Sequence, residues 1–413
     1  MSSSSSLPAG TSPAAEAYVW GYPLVVAQRT RSLFCSRAET GVMSHRDSLA
    51  TPRDRGVVAV NNDTLYSSGW YDLRHGDLEI DVPPMDHPGR YWNVMVLDAY
   101  THVAYVCRRL HGVGGTRVRV THDPNTPPPN DGSRVVPVAT PTAWVIVRVL
   151  VESPEDLETA RELQRSITVR APDSHPHQLT ERAGKPTAVA AAGAAFFTEL
   201  AGLVANDSPA PWHPEISEEA WAIVQDPRRF SADELVAGVE EGEKSVAGLN
   251  VKGGVSRDGW STVRDATGFG GDILKRAVGA KIGLGGHQAI ENRSYMARSA
   301  EGRPVDGSRT VQLHFGRDSL PPCNGFWSLT AYGPDLYLIE NEMDRWSIGD
   351  RTPGLRYDDD GGLTITIGAE RPDDISNWLP TAPGPYLLGM RVYEGHDEVV
   401  DCRWFPPPLV AVP

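Results

Sequence analysis

The chain has little cysteine, little lysine and no long apolar run. Its cysteines are far apart, and no two of them show the two-residue spacing of a zinc site or a redox motif: Cys35, Cys107, Cys323 and Cys402. We therefore expect free thiols in a reducing compartment. No stretch approaches the roughly 18 uninterrupted apolar residues that cross a membrane, and the polar start of the chain lacks the basic and apolar parts of a secretory signal. These absences predict a soluble, cytoplasmic protein with no membrane partner.

Positive charge is scarce as well. The chain has 39 basic and 53 acidic residues, which gives a formal charge of -14. A charge of this sign repels phosphate backbones, so nucleic acid is not an expected partner. The length of 413 residues, 40% of them hydrophobic, is enough for two or three packed units.

Motifs for a cofactor or a nucleophile are also missing. The glycines between residues 253 and 286 form neither a dinucleotide fingerprint nor a P-loop. The sequence has no Gly-x-Ser-x-Gly elbow, no His-Glu-x-x-His run, and no two-histidine-plus-glutamate pattern typical of a metal-binding jelly roll. We expect no metal and no cofactor.

The pattern that is present begins with a helix and continues with strands. Near-helical spacing of apolar residues predicts one amphipathic helix over residues 14–34, bent at Pro23. Short apolar runs between turn residues then predict a β-sandwich, with a surface loop at the prolines of residues 127–132. The clearest of these strands are residues 57–60, 90–97, 116–121 and 143–150.

Helices are predicted after residue 151, and strands return after residue 306. Ser153 followed by Pro154 begins one helix, and a capping box of Ser231 and Glu234 begins another. The later strands predict a second sandwich or jelly roll: residues 310–315, 326–332, 336–340, 363–367, 385–393 and 399–404.

These elements predict an α+β fold dominated by β-structure, in three parts. Residues 1–150 hold the first helix and the first β-sandwich. Residues 151–290 form a helical middle segment with a glycine-rich connection, and residues 291–413 form a jelly-roll-like domain.

Several motifs resemble a known two-part family. In the first half they are Asn62-Asp63-Thr64-Leu65-Tyr66, Gly89-Arg90-Tyr91 and Asp98-Ala99-Tyr100; in the second half they are Glu291-Asn292-Arg293-Ser294-Tyr295, Phe326-Trp327-Ser328-Leu329-Thr330 and Asn377-Trp378-Leu379-Pro380. The chain is thereby similar to proteins built from the domains of unknown function numbered 1254 and 1214. The resemblance implies an immunoglobulin-like sandwich, a helical part, a C-terminal jelly roll and oligomerisation. It brings no catalytic residues.

Arg148 is the first candidate for a site. Alternation along residues 143–150 places Trp144, Ile146, Arg148 and Leu150 on one face, and apolar residues make both faces look buried. Because a buried guanidinium without a partner is costly, we expect a carboxylate nearby, either Asp63 or Asp98. The arginine then serves either a structural ion pair or the polar end of a ligand cavity.

Three other side chains are candidates for acid/base chemistry. Asp63 and Tyr66 are suited to accept and donate a proton, although Asn-Asp-Thr is also typical of a side-chain turn. His102 follows Asp98 and is either a general base or a structural histidine. The predicted catalytic set is Asp63, Tyr66, Arg148 and His102.

Aromatic and amide side chains are the candidates for substrate binding. In the first domain they are Trp70, Tyr91, Asp98 and Tyr100. In the second they are Tyr295, Asn324, Trp327 and Asn341, which either belong to the core or line an aromatic slot between the domains.

The function predicted from these residues is an acid/base enzyme without redox cofactor or metal, acting on a small and largely apolar organic molecule. Cyclisation, isomerisation, hydration and hydrolysis all fit, and a place in specialised metabolism is one interpretation. The alternative is a homo-oligomer that binds small molecules or serves as a scaffold without turning a substrate over.

Overall fold

The computed structural model describes residues 7–56, 58–123, 126–127, 133–171, 186–248, 254–264 and 269–412. Most of the predicted proline-rich loop, residues 128–132, lies outside this part of the chain. The fold is α+β and dominated by β-structure, as predicted, with two β-sandwiches and one group of helices.

The first sandwich consists of a five-stranded sheet and a four-stranded sheet. Their orders are β1-β2-β8-β4-β5 and β7-β6-β3-β9. The strands are β1 (Ser44–Arg46), β2 (Thr64–Asp72), β3 (Leu78–Val82), β4 (Trp92–Asp98), β5 (Val103–Cys107), β6 (Thr116–Thr121), β7 (Arg134–Pro137), β8 (Thr142–Leu150) and β9 (Thr168–Arg170). Valines of β8 and β4 face the apolar side chains of β3 and β6, so the core lies between the two sheets.

Two helices belong to this sandwich, and five others form a separate group. The first two are α2 (Arg108–His111) and α3 (Leu157–Ser166). The group consists of α1 (Pro13–Cys35), α4 (Ala195–Asn206), α5 (Glu218–Gln225), α6 (Ala232–Gly248) and α7 (Ile273–Gly283). The other four helices of the group pack around α1. Gly238 allows α6 to approach α1 closely, because a Cβ at this position would lie 2.3 Å from the Cβ of Ala14.

The second sandwich is formed by a six-stranded and a four-stranded sheet. Their orders are β10-β11-β12-β20-β16-β17 and β19-β18-β15-β21, and β13 pairs with β14. The strands are β10 (Gly254–Arg257), β11 (Trp260–Val263), β12 (Asn292–Ala297), β13 (Ser299–Ala300), β14 (Arg303–Pro304), β15 (Val311–Phe315), β16 (Trp327–Tyr332), β17 (Ser347–Gly349), β18 (Leu363–Gly368), β19 (Trp378–Pro380), β20 (Leu387–Tyr393) and β21 (Leu409–Ala411). The last helix, α8 (Asp397–Val400), follows β20.

Several local predictions are wrong. Of the strand predicted over residues 57–60, residue 57 lies outside the described part of the chain and residues 58 and 59 form a turn, while residues 336–340 contribute an isolated bridge at Leu338. Residues 399–404 contain the end of α8 and a turn. The N-terminal helix is not amphipathic over its first 15 residues, because neighbouring helices cover it and bury Ala14 to Ala27 except for the half-buried Glu16.

The sheets cross the predicted domain limits of 150 and 290. Strand β9 completes a sheet of the first sandwich after residue 150, and β10 and β11 extend a sheet of the second sandwich before residue 290. Of the helices that the structure describes, none is long and apolar enough to span a membrane.

Candidate functional site

One face of the five-stranded sheet turns away from the core of its own sandwich. The register places side chains on this outer face in rows that cross the strands. An aromatic row contains Trp70, Trp144, Leu97 and Val103, and the next row contains Ser68, Ile146, Met95 and Tyr105. The third row is polar and contains Tyr66, Arg148, Asn93 and Cys107. Both faces of β8 are largely buried, as the alternation predicts.

Arg148 is the centre of the polar row and is 4% exposed. Its Nη2 donates to the carbonyl oxygen of Gly285 at 3.0 Å, and its guanidinium carbon lies 5.0 Å from the ring centroid of Tyr66. Its Nε and Nη1 have no hydrogen-bond partner among the described residues. The prediction of a neighbouring carboxylate partner is wrong within this part of the chain, because Asp63 and Asp98 pair elsewhere and Arg148 makes no ion pair.

His287 lies close to Arg148 on the segment that covers the sheet. Its ring stacks on Tyr105 at 6.1 Å and meets the edge of Tyr393 at 6.1 Å. Burial, together with the positive charge of Arg148, lowers the pKa of His287 well below its ordinary value. Neither ring nitrogen has a partner among the described residues. A neutral imidazole, with one donor and one acceptor, therefore has no hydrogen-bond partner among the described residues and lies beside a guanidinium with two unpaired nitrogens.

Glu291 closes the polar row from the second domain. Its carboxylate accepts from Tyr91 Oη at 2.8 Å, from Asn93 Nδ2 at 2.9 Å and from Arg109 Nε at 3.3 Å. Burial, opposed by these donors, raises the pKa of Glu291. Asn93 donates to Glu291 through Nδ2, and its own Oδ1 has no hydrogen-bond partner among the described residues.

Asp63 connects the two sandwiches. One carboxylate oxygen accepts from Arg351 Nη2, and the other accepts from Ser328 Oγ at 2.7 Å. The turn expected at Asn-Asp-Thr is made by Asn61, whose Oδ1 accepts from the backbone N–H of Asp63 at 2.5 Å and of Thr64 at 3.3 Å. Asp63 thus has structural partners on both oxygens.

His102, Asp98 and Tyr100 lie at the other end of β4. Asp98 follows Asn93 by five residues, which is about 17 Å along a strand. His102 Nδ1 lies 2.8 Å from Asp98 Oδ2, and Tyr100 Oη donates to the carbonyl oxygen of Asp207 at 2.8 Å. The predicted catalytic residues therefore occupy separate places: Tyr66 and Arg148 together, Asp63 at the domain junction, and His102 at a distance.

The remaining predicted binding residues do not surround one opening. Trp70 stacks on Trp144 with ring centroids 4.9 Å apart. Tyr295 and Trp327 do not line a slot, because both rings are part of the core of the second sandwich. Asn341 binds the backbone of its own loop, and Asn324 lies at the domain junction, where its carbonyl oxygen accepts from Arg108.

Two spaces border the segment formed by residues 283–290, and neither is lined by a residue of the polar row. A cavity of about 10 Å³ is lined by Leu97, Val103 and Gly285, among others, and it has room for about one water molecule. An open cleft of about 650 Å³ lies against the segment at Gln288, Ala289 and Ile290 and is also lined by Arg264 and Lys275. Within the described residues, no three side chains are grouped so that they could hold a metal ion.

Little in the sequence indicated that His287, Asn93, Tyr105 and Tyr393 belong to this site. The one available signal was the pair Gly285-Gly286 directly before a histidine, since adjacent glycines allow a segment to pass close over a sheet. Gly285 has a φ of +75°, and a Cβ there would lie 3.2 Å from Ile146 Cδ1. The histidine is therefore carried over the sheet by a backbone that glycine makes possible.

Comparison with known proteins identifies domains of unassigned function. Residues 40–171 match the family described as protein of unknown function (DUF1254), and residues 292–397 match protein of unknown function (DUF1214). No curated protein matches the chain.

Similar solved structures include the following two. The crystal structure of the VPA0106 protein from Vibrio parahaemolyticus is 22% identical, with a TM-score of 0.70 over 97% of this chain and 99% of that one. An uncharacterized protein from Burkholderia cenocepacia is 13% identical, with a TM-score of 0.46 over 96% of this chain and 88% of that one. The first likeness concerns the fold alone. Because the two family matches together span more than half of the sequence and occur in the expected order, the chain belongs to the family built from DUF1254 and DUF1214 domains.

Proposed function

We propose that the chain is an enzyme that moves a proton on a small, largely apolar organic anion held by Arg148. The observation that carries the proposal is a guanidinium that is 4% exposed and has two nitrogens, Nε and Nη1, without a partner among the described residues. A buried, incompletely paired cation is costly to the fold, and such sites are candidates for a ligand of opposite charge.

A carboxylate is the group that fits the two unpaired nitrogens. The Nε–H and Nη1–H groups point away from different edges of the guanidinium, so a carboxylate oxygen accepts from one of them in a charge-assisted hydrogen bond. Tyr66, Tyr105 and Tyr393 supply aromatic surface around the cation, and this surface suits an apolar or aromatic body. The substrate class is therefore a small organic acid.

His287 is the group we assign to proton transfer. It is neutral because its pKa is lowered, so one ring nitrogen is able to accept a proton. In the proposed step, the C–H bond next to the substrate carboxylate breaks and the proton moves to His287. The electron pair moves into the carboxylate as an enediolate, which Arg148 stabilises by its charge. When the substrate has a β,γ double bond, return of the proton to the γ carbon moves the double bond to the α,β position, takes the electron pair back out of the carboxylate and completes an isomerisation.

Access to Arg148 requires movement of residues 283–290, which separate it from the outer cleft. Gly285 lies at the hydrogen bond to Arg148, and two cationic residues, Arg264 and Lys275, line the cleft. Asp401 lines the same cleft, so two cations against one anion leave one net positive charge there, and in a chain with a formal charge of -14 this favours the approach of an anion.

Hydrogen exchange in heavy water tests the proposal. Phenylacetate and a series of β,γ-unsaturated carboxylates are incubated with the protein in D₂O, and loss of the α-proton is followed by NMR. We expect exchange faster than in buffer with the native chain, and the buffer rate with His287→Phe and with Arg148→Met. Absence of exchange across the whole series would refute the assignment of proton transfer.

The setting of this enzyme is part of the same proposal. We place it in the cytoplasm, in specialised metabolism, as a homo-oligomer. The four cysteines are unpaired, which supports a reducing compartment. Light scattering on the purified protein measures the oligomeric state, and a monomer at micromolar concentration would contradict the oligomer.

A further inference from the structure

A second group of unpaired polar atoms lies at the end of β4, far from Arg148. It consists of two pairs: His102 with Asp98, and His213 with Arg276. His213 is 6% exposed and Arg276 is 2% exposed. The Nε2 atoms of both histidines and the Nε of Arg276 are buried without a hydrogen-bond partner in the described part of the chain. An unpaired buried polar group costs about 1–3 kcal/mol, so three in one place call for an explanation.

The hydrogen-bond partner at Nδ1 decides which ring nitrogen of each histidine carries the hydrogen; this partner is Asp98 for His102 and Arg276 for His213. Asp98 accepts from the backbone N–H groups of Tyr100 and His102, both at 2.9 Å, so its carboxylate acts as an acceptor. His102 Nδ1, 2.8 Å from the other carboxylate oxygen, therefore carries a hydrogen. In the neutral ring this leaves His102 Nε2 with a lone pair, ready to accept.

The opposite holds for His213. Arginine has only donors, so His213 Nδ1, 3.2 Å from Arg276 Nη1, is the acceptor. Burial, the charge of Arg276 and the neighbouring His102 lower the pKa of His213 to about 2, which keeps the ring neutral. Its hydrogen is then on Nε2, which is ready to donate.

The two rings face each other at right angles with centroids 5.4 Å apart, and they do not bond directly. An acceptor on one ring and a donor on the neighbouring ring match a hydroxyl group, which donates one hydrogen bond and accepts another. The side chain nearest to solvent is Trp212, which is 62% exposed and whose ring centroid lies 4.4 Å from that of His102. It offers aromatic surface to the body of a ligand.

We propose that these two pairs form a second site, which binds the hydroxyl group of a small aromatic or apolar molecule and takes its proton. The O–H bond breaks, and the proton moves to His102 Nε2, where Asp98 stabilises the imidazolium. The electron pair stays on the oxygen, which accepts from His213 Nε2–H. Arg276 polarises that donor from behind without touching the ligand, and is a positioning residue.

The probe for this site is 4-nitrophenol, whose colour reports its phenolate. Absorbance is titrated against pH with and without the protein. We expect about tenfold more phenolate in the bound than in the free probe at the same acidic pH, which is one pKa unit. The matched probe 4-nitroanisole has no proton to give, and we expect it not to displace 4-nitrophenol. Equal binding of the two probes overturns the proposal, and this arm needs no variant.

Three variants locate the effect. His102→Phe should abolish the excess of phenolate, whereas His314→Phe, at an exposed position of β15, should leave it unchanged. Arg148→Met should also leave it unchanged, which separates this site from the proposed acid site. An excess that survives in His102→Phe, or disappears in Arg148→Met, contradicts the assignment.

Discussion

Replacement of Arg148 by methionine separates a functional cation from a structural one. Methionine has a similar length and no charge, so it removes the guanidinium with little change in volume. The native side chain leaves Nε and Nη1 unpaired in the described structure, at about 1–3 kcal/mol each. It gains one charged hydrogen bond to the carbonyl oxygen of Gly285 and one contact with the ring of Tyr66, worth about 1.5–3 and 1–2 kcal/mol.

These costs and gains nearly cancel. The desolvation of the buried charge then decides whether the substitution raises or lowers the free energy of unfolding. Buried ions replaced by apolar side chains are often neutral or stabilising by about 1–4 kcal/mol. We expect Arg148→Met to be more stable than the native protein by about 2 kcal/mol without ligand, which raises the thermal midpoint by roughly 2 °C for a chain of this length.

Arg391→Met is the matched control for this variant. Arg391 is 9% exposed, but it donates to Tyr332 Oη at 2.7 Å and to the carbonyl oxygen of Ala59 at 2.6 Å. Its removal leaves buried acceptors unpaired, so we expect a loss of about 2–4 kcal/mol. Thermal unfolding followed by circular dichroism measures both variants. Equal destabilisation by the two substitutions would refute the interpretation of Arg148 as a ligand-binding cation.

Three further substitutions have outcomes that follow from the same structure. Gly285→Ala places a Cβ 3.2 Å from Ile146 Cδ1 at a φ of +75°, and we expect a loss of about 1–2 kcal/mol in denaturant unfolding; an unchanged midpoint would contradict the strained conformation. Burial raises the pKa of Asp350 to about 6, so the folded state loses stability as pH rises from about 4 to 6. Because this side chain is 31% exposed, Asp350→Asn should stabilise the protein at pH 7 by only about 1–2 kcal/mol and should have no effect at pH 3. Burial lowers the pKa of His213 to about 2, so below pH 6.5 the unfolded chain alone takes up this proton and stability falls by about 1.4 kcal/mol per pH unit. His213→Gln should remove that part of the slope in thermal midpoints measured from pH 7 to 5, and an unaltered slope would show that His213 is protonated in the folded state.

Local patterns predicted the β-strands best where the strand is buried on both faces. Alternation alone placed Trp144, Ile146 and Arg148 on one face of β8, and the register of the sheet agrees. The period of two fixes which side chains share a face whatever packs upon them. It does not reveal what covers the face.

The partners of the candidate residues could not be predicted, because they come from distant parts of the chain. Asp63 pairs with Arg351, 288 residues away, and the Tyr91 hydroxyl donates to Glu291, 200 residues away. The rule that a buried arginine needs a carboxylate is sound on average, but it names no partner. The rule failed at Arg148, which has no carboxylate partner among the described residues. A buried arginine without such a partner is what a binding site for an anionic ligand requires.

The failed strand predictions have a related cause. Residues 399–404 contain apolar side chains at strand-like spacing, yet α8 and a turn occupy this stretch. Val399 lies in α8, and its side chain packs in the core of the second sandwich. Short apolar runs do not distinguish a strand from a buried turn of helix, since burial of the side chain satisfies either.

Calorimetric titration with phenylacetate tests the central claim most directly. The native protein should bind it, and Arg148→Met should not. Arg148→Lys should bind it more weakly than the native protein, because lysine supplies a compact point charge in place of a planar guanidinium with several N–H donors. Equal affinity of the native protein and Arg148→Met for phenylacetate would contradict the account.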